Sequence, residues 1–240
     1  MSRRVHVAYT PRELDGPMDV AIVVDVIRAS TTIVTLVERG CRPLLLSATV
    51  DRARQARAAA PDLLLIGEQG ALPPEGFDLG NSPVEVARAE VAGRRAALVT
   101  TNGVPAIHAA AQAGTVLVGC LRNARAVAEA AWGAAPAGGE IVIVCAGRAE
   151  NPGGFGLDDA YCAGVLVGRL QGLGETALTD AAEAARLLTV AEPDPLALFR
   201  RSAAGRNVTR LGLGDDVVFC AEVDRTTVVP QVGVDLVLLS

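Results

Sequence analysis

Short apolar runs that alternate with alanine-rich segments constrain the fold of this 240-residue chain more than any other feature. Such runs are typical of strands buried on both faces of a parallel sheet, and the segments between them show helical spacing of apolar residues. We therefore predict an α/β fold with mainly parallel sheets and helices on both faces, a three-layer α/β/α arrangement. Strands are predicted at residues 5–8, 20–26, 43–47, 63–67, 96–100, 115–119 and 140–145, and again at 217–221 and 234–239.

A glycine- and alanine-rich segment at residues 133–139 is the best candidate for a hinge. A chain of this length can bury the core of one domain or of two joined lobes. We predict one compact unit over residues 1–240, with lobes at 1–135 and 136–240 as the alternative. Helices are predicted at residues 159–173 and 180–188. Ser82 and Asp194, each followed by proline, predict helix N-caps, and Asp180 with Glu183 resembles a capping box.

The composition excludes several classes of protein. The net charge is −5 and aromatic residues make up 3% of the chain, so the basic stripe and stacking rings needed for nucleic-acid binding are missing. No apolar run reaches the roughly 18 residues of a membrane span, and residues 1–8 lack the apolar region of a signal peptide. The cysteines are widely spaced without a Cys-x-x-Cys pair, which is typical of reduced core residues in a cytoplasmic protein.

The sequence contains no lysine, so its basic side chains apart from histidine are all arginine. This excludes P-loop nucleotide hydrolases, which use a lysine on the phosphates, and every Schiff-base mechanism. The two histidines, His6 and His108, lie in a predicted strand and a predicted helix. Their separation argues against a zinc site of the usual type, and we expect both to be structural.

Polar side chains follow four of the predicted strands, at the point where each strand ends. In open parallel sheets ligands bind beyond these carboxyl ends, beside helix N-termini. We therefore expect the four loops to share one site, although each taken singly is ordinary turn and cap chemistry. The loops carry Asp25, Arg28, Ser30, Thr31 and Thr32 in the first, Glu68, Asn81 and Ser82 in the second, Thr101, Asn102 and Gly103 in the third, and Gly147, Asp158 and Asp159 in the fourth.

A simple charge count indicates what this site would hold. Three helix N-termini contribute roughly +1.5 charges, Arg28 adds one, and a divalent metal ion would add two. That balance suits a small substrate with several negative groups. The carboxylates of Asp25, Glu68, Asp158 and Asp159 are hard oxygen ligands of the kind that Mg²⁺ accepts. The alternative for the adjacent Asp158 and Asp159 is that they only cap a helix.

These segments, in this order, resemble the 2-phosphosulfolactate phosphatase family of coenzyme M biosynthesis. The resemblance implies an α/β fold specific to the family and a magnesium-dependent phosphatase that converts (R)-2-phospho-3-sulfolactate to 3-sulfolactate and phosphate. The matching stretches are residues 23–34, 67–68, 76–83, 100–103, 145–147, 158–159, 215–217 and 229–230.

We expect Mg²⁺ to be held by Asp25, Glu68 and one or both of Asp158 and Asp159. Arg28, which we expect to be an exposed loop residue, would stabilise the charge on the transferring phosphoryl group. Water attack and an aspartyl-phosphate at Asp25 both remain open. The catalytic set is therefore Asp25, Arg28, Asp158 and Asp159. The substrate-binding set is Ser30, Thr31, Thr32, Asn81, Ser82, Thr101, Asn102, Gly103 and Gly147.

Four positions depart from the family pattern. Gln69 stands where arginine is usual, Val104 where threonine is usual and Asp158 where glutamate is usual, while Ala204 falls near an expected polar residue. Loss of an arginine at position 69 removes a bidentate contact to an anion. Two alternatives follow: a phosphatase for another small phospho-hydroxy acid, and a non-catalytic homologue that binds an acidic metabolite. We expect a small anionic phospho-acid as partner and leave a homodimer open.

Overall fold

A single mixed sheet organises the computed structural model, which describes residues 1–148, 154–233 and 237–239. Within that part of the chain the sheet has ten strands. They are β1 (Arg3–Ala8), β2 (Val20–Val24), β3 (Leu44–Leu46), β4 (Leu64–Gly67), β5 (Ala96–Val99), β6 (Thr115–Val118), β7 (Glu140–Cys145), β8 (Thr176–Leu178), β9 (Gln231–Val232) and β10 (Val237–Leu239).

Helices connect most of these strands and cover the sheet. They are α1 (Ala29–Glu38), α2 (Val50–Ala59), α3 (Pro83–Arg88), α4 (Gly103–Ala109), α5 (Ala124–Ala134), α6 (Leu157–Gln171), α7 (Asp180–Ala191), α8 (Pro195–Arg201), α9 (Ala203–Arg210) and α10 (Gly214–Cys220). Short 3₁₀ turns lie at Pro11–Glu13 and Leu121–Asn123. Within the described residues, none of the helices is both long and apolar enough to cross a membrane.

The sheet consists of two parallel blocks joined by an antiparallel pair. Its strand order is β4-β5-β3-β10-β9-β6-β2-β7-β1-β8. Strands β4, β5 and β3 run parallel, as do β6, β2, β7, β1 and β8. Strands β10 and β9 are antiparallel to each other and to their outer neighbours β3 and β6. The prediction of a mainly parallel α/β sheet is confirmed, and the antiparallel junction is an addition to it.

Strand β2 shows why the apolar runs have no polar face. Its residues Val20, Ile22 and Val24 belong to one core cluster, to which α5 and α6 contribute Val127 and Leu166. The alternate residues Ala21 and Val23 belong to a second cluster, which contains Ile33 of α1 and Ile107 of α4. Successive side chains of a strand point to opposite faces, so a strand with helices on both faces is apolar throughout. The three-layer prediction is confirmed.

Most predicted elements are present, and one is wrong. Residues 217–221, predicted as a strand, lie in and just after helix α10. Asp215 and Asp216 occupy its first turn, where acidic side chains favour a helix N-terminus, and Val217 and Cys220 are buried on one face. A short apolar run does not distinguish a strand from a buried helix, which explains the error. Of the predicted strand at 234–239, residues 237–239 form β10, and 234–236 lie outside the described residues. Strands β8 and β9 are additions to the predicted set.

The helix-cap predictions differ in outcome. The Ser82 hydroxyl accepts the Glu85 N–H at 3.1 Å, and Asp194 accepts the Leu196 N–H at 2.9 Å, so both predicted caps are confirmed. Helix α6 is present but begins and ends two residues before its predicted range, and α7 begins where predicted and extends three residues further. The N-cap of α7 is Thr179, which accepts the Ala182 N–H, and the predicted box at Asp180 begins one residue later than this cap.

The segment predicted as a hinge leads directly into the sheet. Strand β7 begins at Glu140 and lies between β2 and β1, with Ile141 in register with both Val20 and Val5. One sheet therefore contains strands from both sides of residues 133–139, and the division into two lobes stays a prediction. All five cysteines are buried and free, as expected of small core residues.

Candidate active site

A single cavity lies beyond the carboxyl ends of β2, β4, β5 and β7. Helix α9 closes another side of it with Ala204, Asn207 and Val208. The loops that follow the two parallel blocks therefore meet, although the β9–β10 pair separates those blocks within the sheet. Nine of the residues predicted for the site line this cavity: Asp25, Arg28, Glu68, Asn81, Thr101, Asn102, Gly147, Asp158 and Asp159.

Asp25 lies directly after β2 and has two roles in the local structure. Its Oδ1 accepts the Ala29 N–H at 3.3 Å, so it caps the first turn of α1, and the same side chain lines the cavity. Gly103 packs against it, because a Cβ at that position would lie 2.9 Å from Asp25 Oδ2 and 2.5 Å from the Ala29 Cβ. The predicted glycine at position 103 thus permits a close approach of α4 to the Asp25 carboxylate and does not itself line the cavity.

Asp159 connects the ends of two neighbouring strands. Its Oδ1 accepts the Val26 N–H at 2.9 Å, and its Oδ2 accepts the Gly147 N–H at 3.2 Å. These bonds join the loop after β2 to the loop after β7. Asp158 occupies the preceding position in the first turn of α6 and also lines the cavity. Asp159 therefore joins two loops through their backbone amides and also contributes a carboxylate to the cavity.

Glu68 holds the loop that follows β5. Its Oε1 accepts the Thr101 N–H at 2.5 Å, while its Oε2 accepts the Ala71 N–H at 2.7 Å and the Thr101 hydroxyl at 3.0 Å. The Thr101 hydroxyl, predicted to orient substrate, therefore donates to a carboxylate of the cavity wall. This bonding positions the Glu68 carboxylate and the two loops that it contacts.

Arg28 forms a buried ion pair, which corrects the expectation of an exposed loop residue. Its Nη1 donates to Asp216 Oδ2 at 2.9 Å and its Nη2 donates to the Ala71 carbonyl at 2.8 Å. Arg28 is 4% exposed and Asp216 is 1% exposed. The guanidinium lines the cavity, but its orientation depends on a carboxylate 188 residues away in the sequence.

The hydroxyl groups predicted to bind substrate form hydrogen bonds within the cavity wall. Ser30, Thr31, Thr32 and Ser82 are buried and are not among the residues that line the cavity. The N–H groups of Ser30 and Thr32 are also bonded, to the carbonyls of Asp25 and Arg28. The side-chain bonds are Asp25 N–H to Ser30 Oγ (3.2 Å), Thr31 Oγ1 to the Val26 carbonyl (2.8 Å), Thr32 Oγ1 to the Asn81 carbonyl (3.2 Å) and Ser82 Oγ to Asp216 Oδ1 (2.6 Å).

Burial raises the pKa of three aspartates of the cavity, Asp25, Asp158 and Asp159. Burial and the charge of Glu68 raise the pKa of Asp25 to about 7. Burial raises the pKa of Asp158 to about 6, although its own backbone N–H and Arg148 act in the opposite direction. Burial and the charges of Asp158 and Asp25 raise the pKa of Asp159 well above its usual value. A bound cation would relieve this repulsion.

One polar atom of the cavity is left without a partner. Asn81 is 5% exposed, and its Oδ1 accepts no hydrogen bond from the described residues. Buried polar atoms are nearly always bonded, so this carbonyl oxygen suits a ligand, a water molecule or an ion. Among the described residues, no three or more histidine, cysteine, aspartate or glutamate side chains lie close enough to hold a metal ion together.

The structure adds Asp216 to the residues predicted for the site and shows where the departures from the family pattern lie. Asp216 belongs to the family-like stretch 215–217 but is not among the predicted site residues, and its pairing with Arg28 has no local sequence signal. Ala204 lines the cavity where a polar residue is expected, and Val104 is buried in α4. Gln69 is exposed and lines a neighbouring cavity instead, together with Asp51, Arg54 and Thr101.

Comparison with known proteins agrees with the resemblance found in the sequence. A family model described as 2-phosphosulpholactate phosphatase matches residues 8–234. Three relatives named "Probable 2-phosphosulfolactate phosphatase" are similar over nearly their full lengths. The protein of Deinococcus radiodurans is 47% identical over 88% of this chain and 87% of its own. Those of Thermus thermophilus and Gloeobacter violaceus are 43% and 36% identical over 95% of this chain, and over 93% and 94% of their own.

Proposed function

The chain belongs to the 2-phosphosulfolactate phosphatase family, and from this membership we propose that its cavity hydrolyses (R)-2-phospho-3-sulfolactate to 3-sulfolactate and phosphate. The observation that carries the proposal is the convergence of four buried carboxylates and two arginines, Arg28 and Arg148, on one cavity beyond the carboxyl ends of β2, β4, β5 and β7. Positioned charges of both signs are what phosphoryl transfer requires, because its catalysis consists mainly of positioning and electrostatic stabilisation.

We propose Mg²⁺ as the cofactor, and the residues present are suited to it. Asp25, Glu68 and Asp158 offer carboxylate oxygens, and the unpartnered Asn81 Oδ1 is a further hard ligand. Mg²⁺ is usually bound by one or two carboxylates together with waters and substrate phosphate, so a tight cluster of three acids is not needed. When bound, the ion would offset the carboxylate charge and polarise the phosphoryl oxygens.

The protein side chains supply orientation and proton transfer. Arg28 is held by Asp216 and the Ala71 carbonyl at the cavity wall, where its guanidinium stabilises negative charge on the phosphoryl group. Asp25 either accepts a proton from the attacking water or attacks phosphorus itself. If water attacks, the bond between phosphorus and the ester oxygen breaks, and the leaving oxygen takes up the proton that Asp25 removed from the water. If Asp25 attacks, the same bond breaks, the leaving oxygen takes a proton from solvent, and water then hydrolyses the aspartyl-phosphate, which releases phosphate and restores Asp25.

Phosphate release from synthetic 2-phosphosulfolactate tests this proposal. We expect activity with added Mg²⁺, loss of activity after chelation, and loss of at least about 10²-fold in kcat/KM in Asp25→Asn. Asp215→Asn, a change of an exposed acid on α10, is the matched control and should retain activity. Wild-type protein without magnesium-dependent phosphate release above background would contradict the proposal and favour the non-catalytic homologue.

Burst kinetics separate the two roles of Asp25. A covalent aspartyl-phosphate predicts rapid release of 3-sulfolactate before steady state, provided that breakdown of the intermediate is slow. An Asp25→Asn enzyme that still turns over rules out the nucleophilic role, because an amide does not form an acyl phosphate under these conditions.

A second candidate function is hydrolysis of another small phospho-hydroxy acid. Ala204, which lines the cavity where a polar residue is expected, favours it because a polar contact to the substrate is missing there. A panel with phosphoglycolate and 2-phospholactate distinguishes the two. Equal or better turnover of these compounds would assign the enzyme to the wider class, while clear preference for 2-phosphosulfolactate supports the first assignment.

A further inference from the structure

A second cavity opens beside the active-site cavity and shares part of its wall. Both are lined by Thr101, Asn102 and Arg148, and the second is also lined by Thr10 and Arg12. Of the described residues that line this second cavity, none is an aspartate or glutamate, whereas four carboxylates line the first. The two adjoining cavities therefore differ in charge: acids outnumber arginines in the first, whereas the charged side chains among the described residues that line the second, Arg12 and Arg148, are both arginines.

Arg12 is placed to contact a ligand in the second cavity. It lies in the exposed 3₁₀ turn Pro11–Glu13, and among the described residues it forms no ion pair. The carboxylate of the adjacent Glu13 accepts other donors, the Tyr9 N–H at 3.0 Å and the Thr10 hydroxyl at 3.3 Å. Among the described residues, Glu13 therefore does not occupy the donors of the Arg12 guanidinium, which lines the second cavity.

The first cavity is lined by four carboxylates and two arginines, so acids outnumber arginines around the phosphate of the proposed substrate. Phosphate, carboxylate and sulfonate are attached to a three-carbon chain, and the first cavity is already lined by Asp25, Glu68, Asp158 and Asp159. A bound cation would offset the phosphate there, but a sulfonate beside the same acids would add repulsion. The charge difference between the two cavities separates these groups.

We propose that the cavity lined by Thr10, Arg12, Thr101 and Arg148 is the subsite for the sulfonate of the substrate, with Arg12 as its specificity-determining residue. This inference rests on the proposed function. A planar guanidinium can donate to two oxygens of a sulfonate at once, as it does to carboxylate and phosphate. Gln69 lines a different cavity, so the absence of arginine there leaves this subsite intact.

Paired substrates test the subsite by turnover. We would assay two variants of the subsite, Arg12→Gln and Arg12→Lys, and the control Arg39→Gln, which lies at the opposite end of α1 from the cavity. Each is assayed with 2-phosphosulfolactate and with 2-phospholactate, which lacks the sulfonate. We expect Arg12→Gln to lower kcat/KM for 2-phosphosulfolactate by about tenfold or more, the size expected for a lost hydrogen bond to a charged group. The value for 2-phospholactate should stay within about twofold, Arg12→Lys should be intermediate, and Arg39→Gln should match wild type. An equal loss on both substrates, or none on either, overturns the subsite.

Binding of 3-sulfolactate gives a second result that does not depend on catalysis. Calorimetry in the presence of Mg²⁺ should show binding to the wild-type protein that is weakened about tenfold or more in Arg12→Gln and unchanged in Arg39→Gln. If wild type fails to hydrolyse 2-phosphosulfolactate but shows this difference in binding, the proposed reaction is wrong and the sulfonate subsite stands. If wild type and Arg12→Gln bind 3-sulfolactate equally, or wild type does not bind it, the subsite is wrong.

Discussion

The ion pair between Arg28 and Asp216 makes the strongest quantitative prediction. Both side chains are almost fully buried. Besides the Arg28 bond, Asp216 Oδ1 accepts the Ser82 hydroxyl at 2.6 Å and the Val84 N–H at 3.4 Å. This carboxylate therefore links the start of α1, the start of α3 and helix α10. Replacing it with asparagine removes the charge that balances Arg28 while keeping the size of the side chain.

We expect Asp216→Asn to lower the free energy of unfolding by about 3 kcal/mol. Breaking a buried ion pair from one side costs about 3–5 kcal/mol, because the other charge is left buried and unpaired. The lower figure applies because an amide oxygen can still accept the Ser82 hydroxyl. For a chain of this size the loss corresponds to a fall of about 6–12 °C in Tm.

Urea denaturation followed by circular dichroism measures this loss. Asp215→Asn is the matched control: it changes the adjacent exposed acid on the same helix and should alter stability by no more than about 0.5 kcal/mol. The double variant Arg28→Met/Asp216→Leu should recover much of the lost stability without recovering activity, because it removes both buried charges and the phosphate contact. If Asp216→Asn is as stable as Asp215→Asn, the buried pair does not stabilise the fold and the reasoning from its burial is refuted.

Four further predictions concern Arg28, the pKa of Asp25, the binding of Mg²⁺ and the close contact at Gly103. Arg28→Lys should lower kcat/KM by about 10²-fold or more and also lower Tm, since a point charge cannot reproduce both bonds of the guanidinium; wild-type kinetics would contradict this. Burial and Glu68 raise the pKa of Asp25 to about 7 from an unfolded value of about 4, so the metal-free protein should be more stable near pH 5 and lose stability as the pH rises through 7. Mg²⁺ should raise Tm more at pH 8 than at pH 5, and a Tm gain independent of pH would argue against carboxylate ligands. Gly103→Ala should lower both Tm and activity, because the added Cβ would lie 2.9 Å from Asp25 Oδ2. The control Gly133→Ala adds a Cβ in helix α5 with nothing within 4 Å of it, so it should be neutral or stabilise the protein by up to about 1 kcal/mol.

The central strands could be predicted from the sequence because burial on both faces leaves an unambiguous signal. Every residue of β2 is buried, and an apolar run is the only pattern compatible with helices on both sides. The order of strands in the sheet has no such signal. Strands β9 and β10 lie between β3 and β6, so the junction of the two parallel blocks depends on contacts between residues distant in sequence. The apolar run at 217–221 is mispredicted because its length suits a strand or a short helix equally.

The candidate site could be predicted at the level of loops and less well at the level of individual groups. The carboxyl ends of parallel strands share an edge, so the convergence of the loops after β2 and β7, which carry Asp25 and Asp159, follows from fold class. Glu68 follows β4 in the other block, which runs antiparallel to the first, so its place in the same cavity could not be derived in this way. What each group contacts does not follow from fold class. The hydroxyls of Thr31 and Thr32 look like ligand-binding groups in the sequence, yet both donate to backbone carbonyls. Small hydroxylated residues commonly satisfy nearby backbone groups, and the sequence does not reveal which partner they take.

The position of the site at the junction of the two parallel blocks explains why so many of its polar residues are structural. The block with β2 and β7 supplies Asp25 and Asp158, and the block with β4 and β5 supplies Glu68. These carboxylates repel one another, so the loops that carry them need specific bonds to stay close. Glu68 provides such bonds across the loops after β4 and β5, and Asp159 provides them across the loops after β2 and β7. The Arg28–Asp216 pair adds a contact to helix α10. The same acids thus create the negative potential that would attract a divalent cation and accept the hydrogen bonds that keep the loops together.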